Sequence, residues 1–336
     1  MNIRDVARRA RVSHSTVSRV INNVSTVDPK LARRIREAIE EMGYRPNYQA
    51  QALARGHSQT VGLIVAELSG GNPFFAEIIL YFERAAVARG FEVLISFADT
   101  ETDPNHVSVC IQRMMERQVE GIAVLTFGME QSLGSKAEGF NIPMVYAGAG
   151  RPQAGIRNIR INYLTGLREA VKHLADFGHR RIGYLSGQLR LSSMRDRYEA
   201  LRKAMKSAGI SFDKEIVAEC DHTLDGGAQG IATLLNLPKP PTAVLCCNDM
   251  AAIGALKTLN LKGLEVGKDM SVIGFDDLPV CNFMQPSLST IRFSPKELAN
   301  LAFAALLEEI EETEHKGEYA YKTQFVLRES TGAPRE

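Results

Sequence analysis

The nine residues from Val12 to Val20 constrain this chain more than any other stretch, because they carry a complete start signal for a short helix. Ser13 is a good N-cap, since its hydroxyl can accept a hydrogen bond from a backbone N–H of the first turn. Val12 and Val17, on either side of the cap, have the spacing of a hydrophobic staple. The residues left on the outer face are polar and include no carboxylate: His14, Ser15, Ser18, Arg19 and Asn22. This composition suits contact with an anion or with the edges of nucleic-acid bases.

Two further helices are predicted around this one. The segment before it has an apolar stripe, is opened by Asn2, and is separated from Ser13 by two residues only. Two short helices joined so tightly cross steeply, as in a helix-turn-helix motif, whose second helix enters the major groove of DNA. A third helix starts at Asp28-Pro29, an N-cap followed by proline, and ends at Gly43, which suits a left-handed C-cap. Together the three helices predict a small helical domain.

Positive charge is concentrated in the same region. Residues 1–58 hold eleven Lys and Arg against five Asp and Glu, a net charge of +6, whereas the rest of the chain carries −5. A basic head on an acidic body predicts that the head alone approaches a polyanion, with an affinity that falls steeply as salt is added. Residues 47–55 have the pattern of one more helix, too short to persist alone in water. We expect this segment to fold only when something packs against it, and a disordered linker is the alternative.

From Thr60 onward, apolar strands alternate with amphipathic helices. Strands are predicted at 61–65, 92–96, 121–125, 144–147, 181–185, 216–219, 243–247, 270–273 and 323–327. Helices are predicted at 74–89, 105–118, 165–177, 195–208, 249–259 and 294–311. Continuous apolar strands alternating with helices indicate parallel sheets covered on both faces. With a break near residues 151–158, the pattern predicts an α/β core of two doubly wound lobes, between which the chain crosses more than once.

The polar and aromatic side chains that follow the predicted strands indicate where a ligand would bind. In open parallel sheets, ligands lie beyond the carboxyl ends of the strands. The candidates there come from both lobes: Asn72, Phe74, Phe75, Asp99, Phe127, Asp221, His222, Asn248, Asp249, Asp276 and Asp277. Because two lobes joined by strands can hinge, these residues predict a cleft that closes around a small molecule.

Two groups of motifs carry a family resemblance. Near the N-terminus they are Asp5-Val6-Ala7, Thr16-Val17-Ser18-Arg19-Val20 and Gly43-Tyr44-Arg45-Pro46-Asn47, and in the core they are Asn72-Pro73-Phe74-Phe75, Arg195-Asp196-Arg197-Tyr198-Glu199, Asn248-Asp249-Met250-Ala251 and Val272-Ile273-Gly274-Phe275-Asp276-Asp277. With them, the chain resembles the LacI/GalR family of bacterial transcription regulators. The resemblance implies a helix-turn-helix headpiece at 1–46, a hinge helix and linker at 47–59, and a periplasmic-binding-protein-like core. Its N-terminal lobe would comprise 60–160 and 290–321, and its C-terminal lobe 161–289 and 322–332.

The resemblance also implies that the protein is a homodimer that binds double-stranded operator DNA and represses transcription. In this interpretation, the base edges are contacted by His14, Ser15 and Arg19, and the phosphates are held by Asn2, Ser13, Thr16 and Asn22. The further DNA-binding candidates are Ser18, Tyr44, Asn47, Ala50 and Leu53. Among these, small Ala50 would let two hinge helices approach closely, and Leu53 would enter the minor groove as an apolar wedge.

The resemblance also implies a set of effector-binding residues, assigned by their positions in the family motifs. Arg197 and Asp276 match family residues that hold the hydroxyls or polar edges of an effector. Phe74 and Phe75 match apolar or aromatic walls of the site, Asn248 a polar contact, and His222 a position often held by an aromatic platform. A guanidinium offers several donors in a fixed fork and a carboxylate accepts from hydroxyls, so the first pair suits a carbohydrate. A sugar or sugar derivative is the expected effector, and a purine-like corepressor is the alternative.

Each of these assignments has a structural alternative. Arg197 and Asp276 could form only an ion pair between the lobes, and one of the two phenylalanines is expected to be a core residue. Asp249 is expected to cap the next helix, which leaves Asn248 for the ligand. Two positions depart from the family pattern. Arg11 stands where the turn usually has glycine, so a positive φ there would cost about 1 kcal/mol, and Ile161 stands where an acidic residue usually precedes Asn162.

Other classes of protein find less support in the sequence. Five Cys without CxxC spacing predict buried thiols in a reducing cytoplasm, with no disulfide, metal site or cofactor. The charged N-terminus and the absence of any apolar run near about 18 residues predict neither signal peptide nor membrane span. Because no GxSxG, HExxH, Walker or GxGxxG motif occurs, an enzyme is not expected. A periplasmic-type binding protein is the alternative class, although a signal peptide would then stand where the headpiece is.

Overall fold

The computed structural model describes residues 2–22, 26–45, 57–66, 72–99, 103, 105–127, 139–148, 155–313 and 319–335. The chain divides into two units, Met1–Gln59 and Thr60–Glu336. The hinge candidates Asn47, Ala50 and Leu53 lie outside the described residues, so the hinge helix stays a prediction.

The described residues of the first unit include the three expected helices, with each of the predicted caps in place. They are α1, Ile3–Arg9, α2, His14–Ile21, and α3, Pro29–Glu41. At α1, Asn2 forms a capping box with Asp5. The Ser13 hydroxyl accepts the Thr16 N–H at 3.2 Å at the start of α2, and Asp28 caps α3. These caps satisfy backbone donors that each helix start leaves without an intrahelical partner.

The small core of the first unit is formed by residues from all three apolar stripes. Its buried members are Val6, Ala7, Ala10, Val17, Val20, Ala32, Ile35 and Ala38. The turn between α1 and α2 has Arg11 at φ 50°, and Gly43 beyond α3 has φ 58°. The turn therefore does require a left-handed residue at position 11, where a side chain costs on the order of 1 kcal/mol relative to glycine.

The second unit alternates strands and helices as predicted. Its strands are β1, Thr60–Ala66, β2, Glu92–Phe97, β3, Ile122–Thr126, β4, Met144–Gly148, β5, Arg157–Asn162, β6, Ile182–Leu185, β7, Val217–Ala218, β8, Ala243–Cys246, β9, Ser271–Asp276, β10, Ser289–Arg292, β11, Ala320–Lys322, and β12, Gln324–Val326. The α-helices among its described residues are α4, Pro73–Val87, α5, His106–Glu116, α6, Leu164–Asp176, α7, Ser192–Ser207, α8, Leu224–Leu235, α9, Asp249–Leu261, and α10, Pro295–Ile310. Two 3₁₀ turns, Lys214–Ile216 and Pro279–Phe283, accompany them.

These strands form two six-stranded sheets, one in each lobe. The first has the order β11-β5-β4-β3-β1-β2 and the second β12-β10-β9-β8-β6-β7. All described pairs are parallel except β10 with β12. The chain passes between the sheets after β5, after β10 and after β11, so three segments join the lobes.

The sequence-based lobe limits need correction at these crossings. The expected break at 151–158 overlaps β5, which begins at Arg157 and stays in the first sheet to Asn162. Strand β10 belongs to the second sheet, because Ile291 pairs in register with Phe275 of β9. The crossings therefore follow residues 162, 292 and 322 rather than 160, 289 and 321.

Side chains that alternate along β1 show that both faces of the first sheet are covered. Val61, Leu63 and Val65 lie in one core together with residues of α4 and α10. Ile64 and Ala66 lie in a second core on the opposite face, with residues of α5. This arrangement is the doubly wound architecture that the apolar strands predicted.

Helix α8 was not predicted, because three of its first seven residues are glycines. The structure explains one of them, Gly227, by close packing against α9. A Cβ on Gly227 would lie 2.0 Å from the Ala251 carbonyl oxygen of α9, and one on Gly254 of α9 would lie 1.9 Å from that of Leu224. Glycine lowers intrinsic helix stability by about 1 kcal/mol, and here it permits contact between two helix backbones. Within the described residues, no helix is long and apolar enough to cross a membrane.

Candidate functional site

The outer face of α2 presents the polar groups that the sequence indicated. His14, Ser15 and Arg19 are exposed, whereas Val17 and Val20 are buried in the headpiece core. At the start of the helix, the Ser13 hydroxyl lies 2.8 Å from the hydroxyls of Ser15 and Thr16. At its end, the Asn22 amide donates to the Ser18 hydroxyl at 3.4 Å. His14 and Arg19 are thus the exposed side chains of this face that are not engaged in these hydrogen bonds.

Ion pairs separate the basic residues of the headpiece into two groups. Arg8, Arg9 and Arg33 have acidic partners, at 3.9, 2.5 and 3.7 Å. Arg11 in the turn and Arg19 on α2 are exposed and have no acidic partner among the described residues. These two guanidiniums are therefore available to a polyanion without the loss of an internal contact. The Tyr44 ring packs against the headpiece core.

In the second unit, Arg197 lies where the carboxyl ends of the strands of the C-terminal lobe meet the crossings. It projects from α7 with only 7% of its side chain exposed. Its guanidinium donates to the Cys247 carbonyl at 2.5 Å and stacks over the Phe275 ring, with the central carbon 3.8 Å from the ring centroid. Its Nε is buried with no hydrogen-bond partner. The side chain is thus held in place while part of its donor capacity remains unused.

Asp276, at the end of β9, lies beside Arg197 and also contacts the other lobe. The closest nitrogen–oxygen distance between the two side chains is 3.8 Å, and 3% of the Asp276 side chain is exposed. Asn72, from the N-terminal lobe, donates to its carboxylate at 3.3 Å. Burial raises the pKa of Asp276 to about 8, against the opposing effect of Arg197. Arg197 and Asp276 therefore lie together, as predicted, but their contact is too long for a tight ion pair.

The predicted aromatic wall is part of a larger aromatic cluster. Phe74 is buried and stacks on Phe293, with 5.0 Å between the ring centroids. Phe75 is half-buried and meets Phe74 edge to face at 5.4 Å and Phe127 at 5.7 Å. One of the two predicted residues, Phe74, is thus a core residue, and Phe75 is the one that keeps exposed surface.

The assignment of the α9 cap was wrong. Asn248, not Asp249, is the N-cap of α9: its Oδ1 accepts from Ala251 N–H at 2.8 Å. Its Nδ2 donates to the His222 carbonyl at 2.9 Å, so both ends of the amide have protein partners. The Asp249 carboxylate is fully buried and accepts from Leu278 N–H and the Thr290 hydroxyl, at 2.7 and 2.6 Å. It thereby joins α9 to the segments after β9 and within β10.

His222 lies against the same group of residues. Burial, and then the nearby charge of Arg197, lower its pKa to about 4. Its Nε2 is buried without a hydrogen-bond partner and lies close to the backbone of Gly187, where an added Cβ would be 2.8 Å away. At neutral pH the ring is therefore uncharged, with one nitrogen unused.

Asp277, which follows Asp276, has a structural role. Its carboxylate accepts from Arg292 at 2.7 Å and from Arg328 at 2.6 Å, which fixes the end of β9 to β10 and to the C-terminal segment. No group of three or more His, Cys, Asp or Glu in the described part of the chain is placed to hold a metal ion.

Three residues of this region were not singled out from the sequence. The Ser193 hydroxyl, at the start of α7, donates to the Phe127 carbonyl and so links the two lobes. Tyr163 and Phe293 lie in the first and second crossings, with ring centroids 6.0 Å apart. Burial raises the pKa of Tyr163 to about 12. An aromatic residue in each of these crossings is a signal that could have indicated them, but the lobe limits expected from the sequence lie a few residues away.

Comparison with known proteins assigns both units. Residues 2–47 match the model described as bacterial regulatory proteins, lacI family, and residues 171–331 match a periplasmic binding protein-like domain. The HTH-type transcriptional repressor CytR of Escherichia coli K12 is 32% identical over 333 residues, which are 98% of this chain and 96% of that protein. The chain belongs to the LacI family. Its members in this comparison are DNA-binding transcriptional repressors and not enzymes.

Other LacI-family proteins are similar to a comparable extent. PurR of Haemophilus influenzae PittEE is 35% identical over 92% of this chain and 90% of its own length. The ribose operon repressor of Haemophilus influenzae Rd is 32% identical over 98% of both chains. A Lac repressor dimer bound to operator and the anti-inducer ONPF superposes with a TM-score of 0.89, at 28% identity and 99% coverage of both chains. The family and the two-lobed fold implied by the sequence motifs are thus confirmed.

Proposed function

We propose that this LacI-family repressor binds its operator with affinity controlled by a small molecule held between Arg197, Asp276, His222 and Phe75. The observation that carries the proposal is the buried Arg197 and Asp276 pair, which lies at the carboxyl ends of the strands and is contacted from the other lobe by Asn72. A ligand that bridges these groups would change the free energy of lobe closure. A coupling free energy of about 1–3 kcal/mol, typical of allosteric proteins, would alter operator affinity roughly five- to 150-fold.

In the proposed complex, α2 lies in the major groove. His14, Ser15 and Arg19 contact base edges, and Arg19 donates both arms of its fork to one guanine. The phosphate contacts are assigned to Asn2, Ser13, Thr16 and Asn22, and the further contacts to Ser18, Tyr44, Asn47, Ala50 and Leu53. The free guanidinium of Arg11 would add a phosphate contact in the turn. With operator DNA as its partner, the protein is proposed to act in the cytoplasm.

The proposed effector is a sugar or sugar derivative. Donors on Arg197, an acceptor on Asp276 and the partly exposed Phe75 ring fit vicinal hydroxyls and the apolar face of a sugar ring. Among the relatives, one is named a ribose operon repressor, and the structural neighbour CelR is in complex with cellobiose at a TM-score of 0.70. A purine-like effector is the second candidate, because several of the similar repressors are named PurR.

The protein is proposed to act as a homodimer through apolar side chains that remain exposed in each lobe. In the N-terminal lobe these lie on α4 and the edge strand β2: Leu80, Val87, Ile95 and Phe97. In the C-terminal lobe they lie at the start of α8 and on the 3₁₀ turn that follows β9: Leu224, Val280 and Phe283, of which Phe283 is 86% exposed. Sedimentation equilibrium should show a dimer, and the pair of substitutions Phe97→Glu and Phe283→Glu should shift it to monomer.

Selection of operators from genomic fragments, followed by binding to single-base variants, tests the DNA-reading face. Arg19→Ala should lower affinity for the selected site and remove the preference at one base pair. Arg36→Ala is the matched control, since Arg36 is an exposed arginine on α3 and its loss removes the same charge. Unchanged base preference in Arg19→Ala would remove Arg19 from base readout.

A thermal-shift panel of pentoses, hexoses, nucleosides and purine bases tests the effector site. A compound of the correct class should raise the melting temperature of the wild type and change its operator affinity. Arg197→Met and Asp276→Asn should lose both responses and keep basal DNA binding. If these variants retain the shift, the ligand binds elsewhere; if Arg197→Met fails to fold, Asp276→Asn, which keeps the shape of the side chain, still decides the question.

A further inference from the structure

A cavity lies where the two lobes meet, apart from the proposed effector site. Its volume is about 410 Å³, within the range of about 300–1,000 Å³ that small-molecule sites occupy. The N-terminal lobe lines it with Arg160 and Ile161 of β5 and Ala320 of β11, and the C-terminal lobe lines it with Glu199 and Lys203 of α7. None of the four residues proposed to hold the effector lines this cavity. A molecule bound here would contact both lobes at once.

The charge left without a protein partner in this cavity is positive. Glu199 accepts from Arg202 at 3.0 Å, and Asp196, the other carboxylate of the lining, also has an interaction within the protein. A second cavity, of about 500 Å³, shares Glu199 and Lys203 with the first and adds Lys206. Both lysines are exposed, and neither has an acidic partner in the part of the chain that the structure describes. Their ammonium groups are therefore available to an anion.

Ile161 increases this excess of positive charge. The family pattern has an acidic residue at this position, and a carboxylate here would line the same cavity as Lys203. The isoleucine is instead half-buried against the hydrophobic core, and Leu164 and Ala200 add further apolar surface to the lining. Ammonium groups beside apolar surface suit an organic anion. Phosphate is the anion that Lys and Arg bind most readily, through charge-assisted hydrogen bonds.

We propose that this cavity is a second ligand site, for a small phosphate monoester, and that its occupation stabilises one orientation of the lobes. The phosphate oxygens accept from Lys203 of the C-terminal lobe and from Arg160 of the N-terminal lobe. A guanidinium has five N–H donors, so Arg160 can serve the phosphate in addition to its contacts within the protein. The carbon skeleton of the monoester packs against Ile161 and Leu164.

Tyr163 and α7 connect this cavity to the effector site, and this step rests on the proposed function. Tyr163 lines the cavity, and its hydroxyl is buried with no hydrogen-bond partner among the described residues. The central carbon of the Arg197 guanidinium lies 5.2 Å from the centroid of the Tyr163 ring. Arg197 follows Asp196 of the cavity lining on α7. A movement of β5 against α7 therefore changes both sites, and by linkage each ligand alters the affinity of the other by the same factor.

Calorimetric titration and thermal shifts of the full-length protein in a phosphate-free buffer test the site. Phosphate monoesters of glycerol, ribose and glucose should be compared with their unphosphorylated parents, and at least one monoester should bind where its parent does not. Lys203→Gln should weaken this binding by about tenfold. Lys257→Gln is the matched control, because Lys257 is an exposed lysine of α9 outside both cavities. It should bind like the wild type.

A second pair of variants separates charge from packing. Ile161→Asp places a carboxylate in the cavity and should abolish monoester binding, whereas Ile161→Asn, which has the same shape without the charge, should retain it. Asp276→Asn should also retain it, because Asp276 belongs to the effector site. The proposal is overturned if no monoester binds better than its parent, if the Asp and Asn variants at position 161 bind equally well, or if Asp276→Asn abolishes binding.

The coupling between the two sites has its own readout. Affinity for a sugar or nucleoside that stabilises the protein should change when the monoester is present, and the reciprocal titration should give the same factor. Independent binding of the two ligands would refute the coupling and leave the second site in place. Monoester binding to a protein that responds to no sugar, nucleoside or purine base would refute the proposed effector site alone.

Discussion

The buried carboxyl of Asp276 predicts an unusual dependence of stability on pH. Its pKa rises from 3.8 to about 8 in the folded protein, chiefly through burial. Between these pH values the folded protein keeps a proton that the unfolded chain releases, so stability falls as pH rises. The largest possible slope is about 1.4 kcal/mol per pH unit, which gives about 2.7 kcal/mol between pH 5 and pH 7. Relaxation around the site should reduce this to about 1–2 kcal/mol.

Asp276→Asn removes this titration and leaves the shape of the side chain. The variant should match the wild type near pH 4 and exceed it progressively toward pH 8, by about 1–2 kcal/mol more at pH 7 than at pH 5. Asparagine tolerates a positive φ, as required by the φ of 118° at this position. The buried Asp249, whose pKa is raised to about 6 mainly by burial, is present in both proteins and contributes to both profiles.

Urea unfolding followed by far-UV circular dichroism at pH 5, 6, 7 and 8 measures this difference, since the chain contains no tryptophan for fluorescence. Arg202→Gln is a suitable control, because it removes a half-exposed charge that pairs with the half-exposed Glu199, one helical turn away, and lies over the Phe212 ring, far from the buried site. Its profile should run parallel to that of the wild type. Parallel profiles for Asp276→Asn and the wild type would show that Asp276 is ionised at neutral pH, and the reasoning from burial would fail.

Three further substitutions test local features. Arg11→Gly should stabilise the isolated headpiece by up to about 1 kcal/mol in thermal melts, because it relieves the positive φ, and it should reduce the salt dependence of DNA binding if Arg11 contacts a phosphate. Gly227→Ala should destabilise the core by more than about 2 kcal/mol in urea, whereas Gly230→Ala on the same helix should cost clearly less, because an added Cβ there meets side-chain atoms rather than backbone, of Leu185 at 3.0 Å and of Cys220 at 3.4 Å. Asn248→Ala should cost about 1–2 kcal/mol in the same assay, the price of an N-cap.

The elements predicted correctly are those with a strong local signal. Helices α1 to α3 have caps and turn residues that act within a few positions, and the apolar strands of the core are buried on both faces. The strands that were missed, β5, β10 and β11, are short or polar. Only Ile159 of the residues in β5 is buried. Such a strand is stabilised by its neighbours in the sheet, so its own composition does not reveal it.

Helix α8 and the α9 cap were missed for a different reason, which is tertiary. The glycines of α8 lower its helix propensity, and two of them are required by close backbone contacts: an added Cβ would meet the Ala251 carbonyl of α9 at Gly227 and the Asp221 carbonyl at Gly226. Asn248 and Asp249 are both good N-caps by type. The choice between them depends on the buried partners of Asp249, Leu278 and Thr290, which come from distant parts of the chain. The family resemblance supplied candidate residues for the site, but not which of their atoms already have protein partners.

The polar atoms of the site that lack hydrogen-bond partners determine how a ligand could drive a conformational change. Arg197 Nε and His222 Nε2 are buried without hydrogen-bond partners in the described structure, and a buried polar group left in this way costs about 1–3 kcal/mol. A ligand whose hydroxyls satisfy both atoms would recover a free energy comparable to the coupling needed to switch operator affinity. The same ligand, by donating to Asp276, would favour its ionised form, so binding would release a proton and strengthen as pH rises from 6 to 8. A ligand affinity independent of pH over this range would mean that Asp276 accepts no hydrogen bond from the effector.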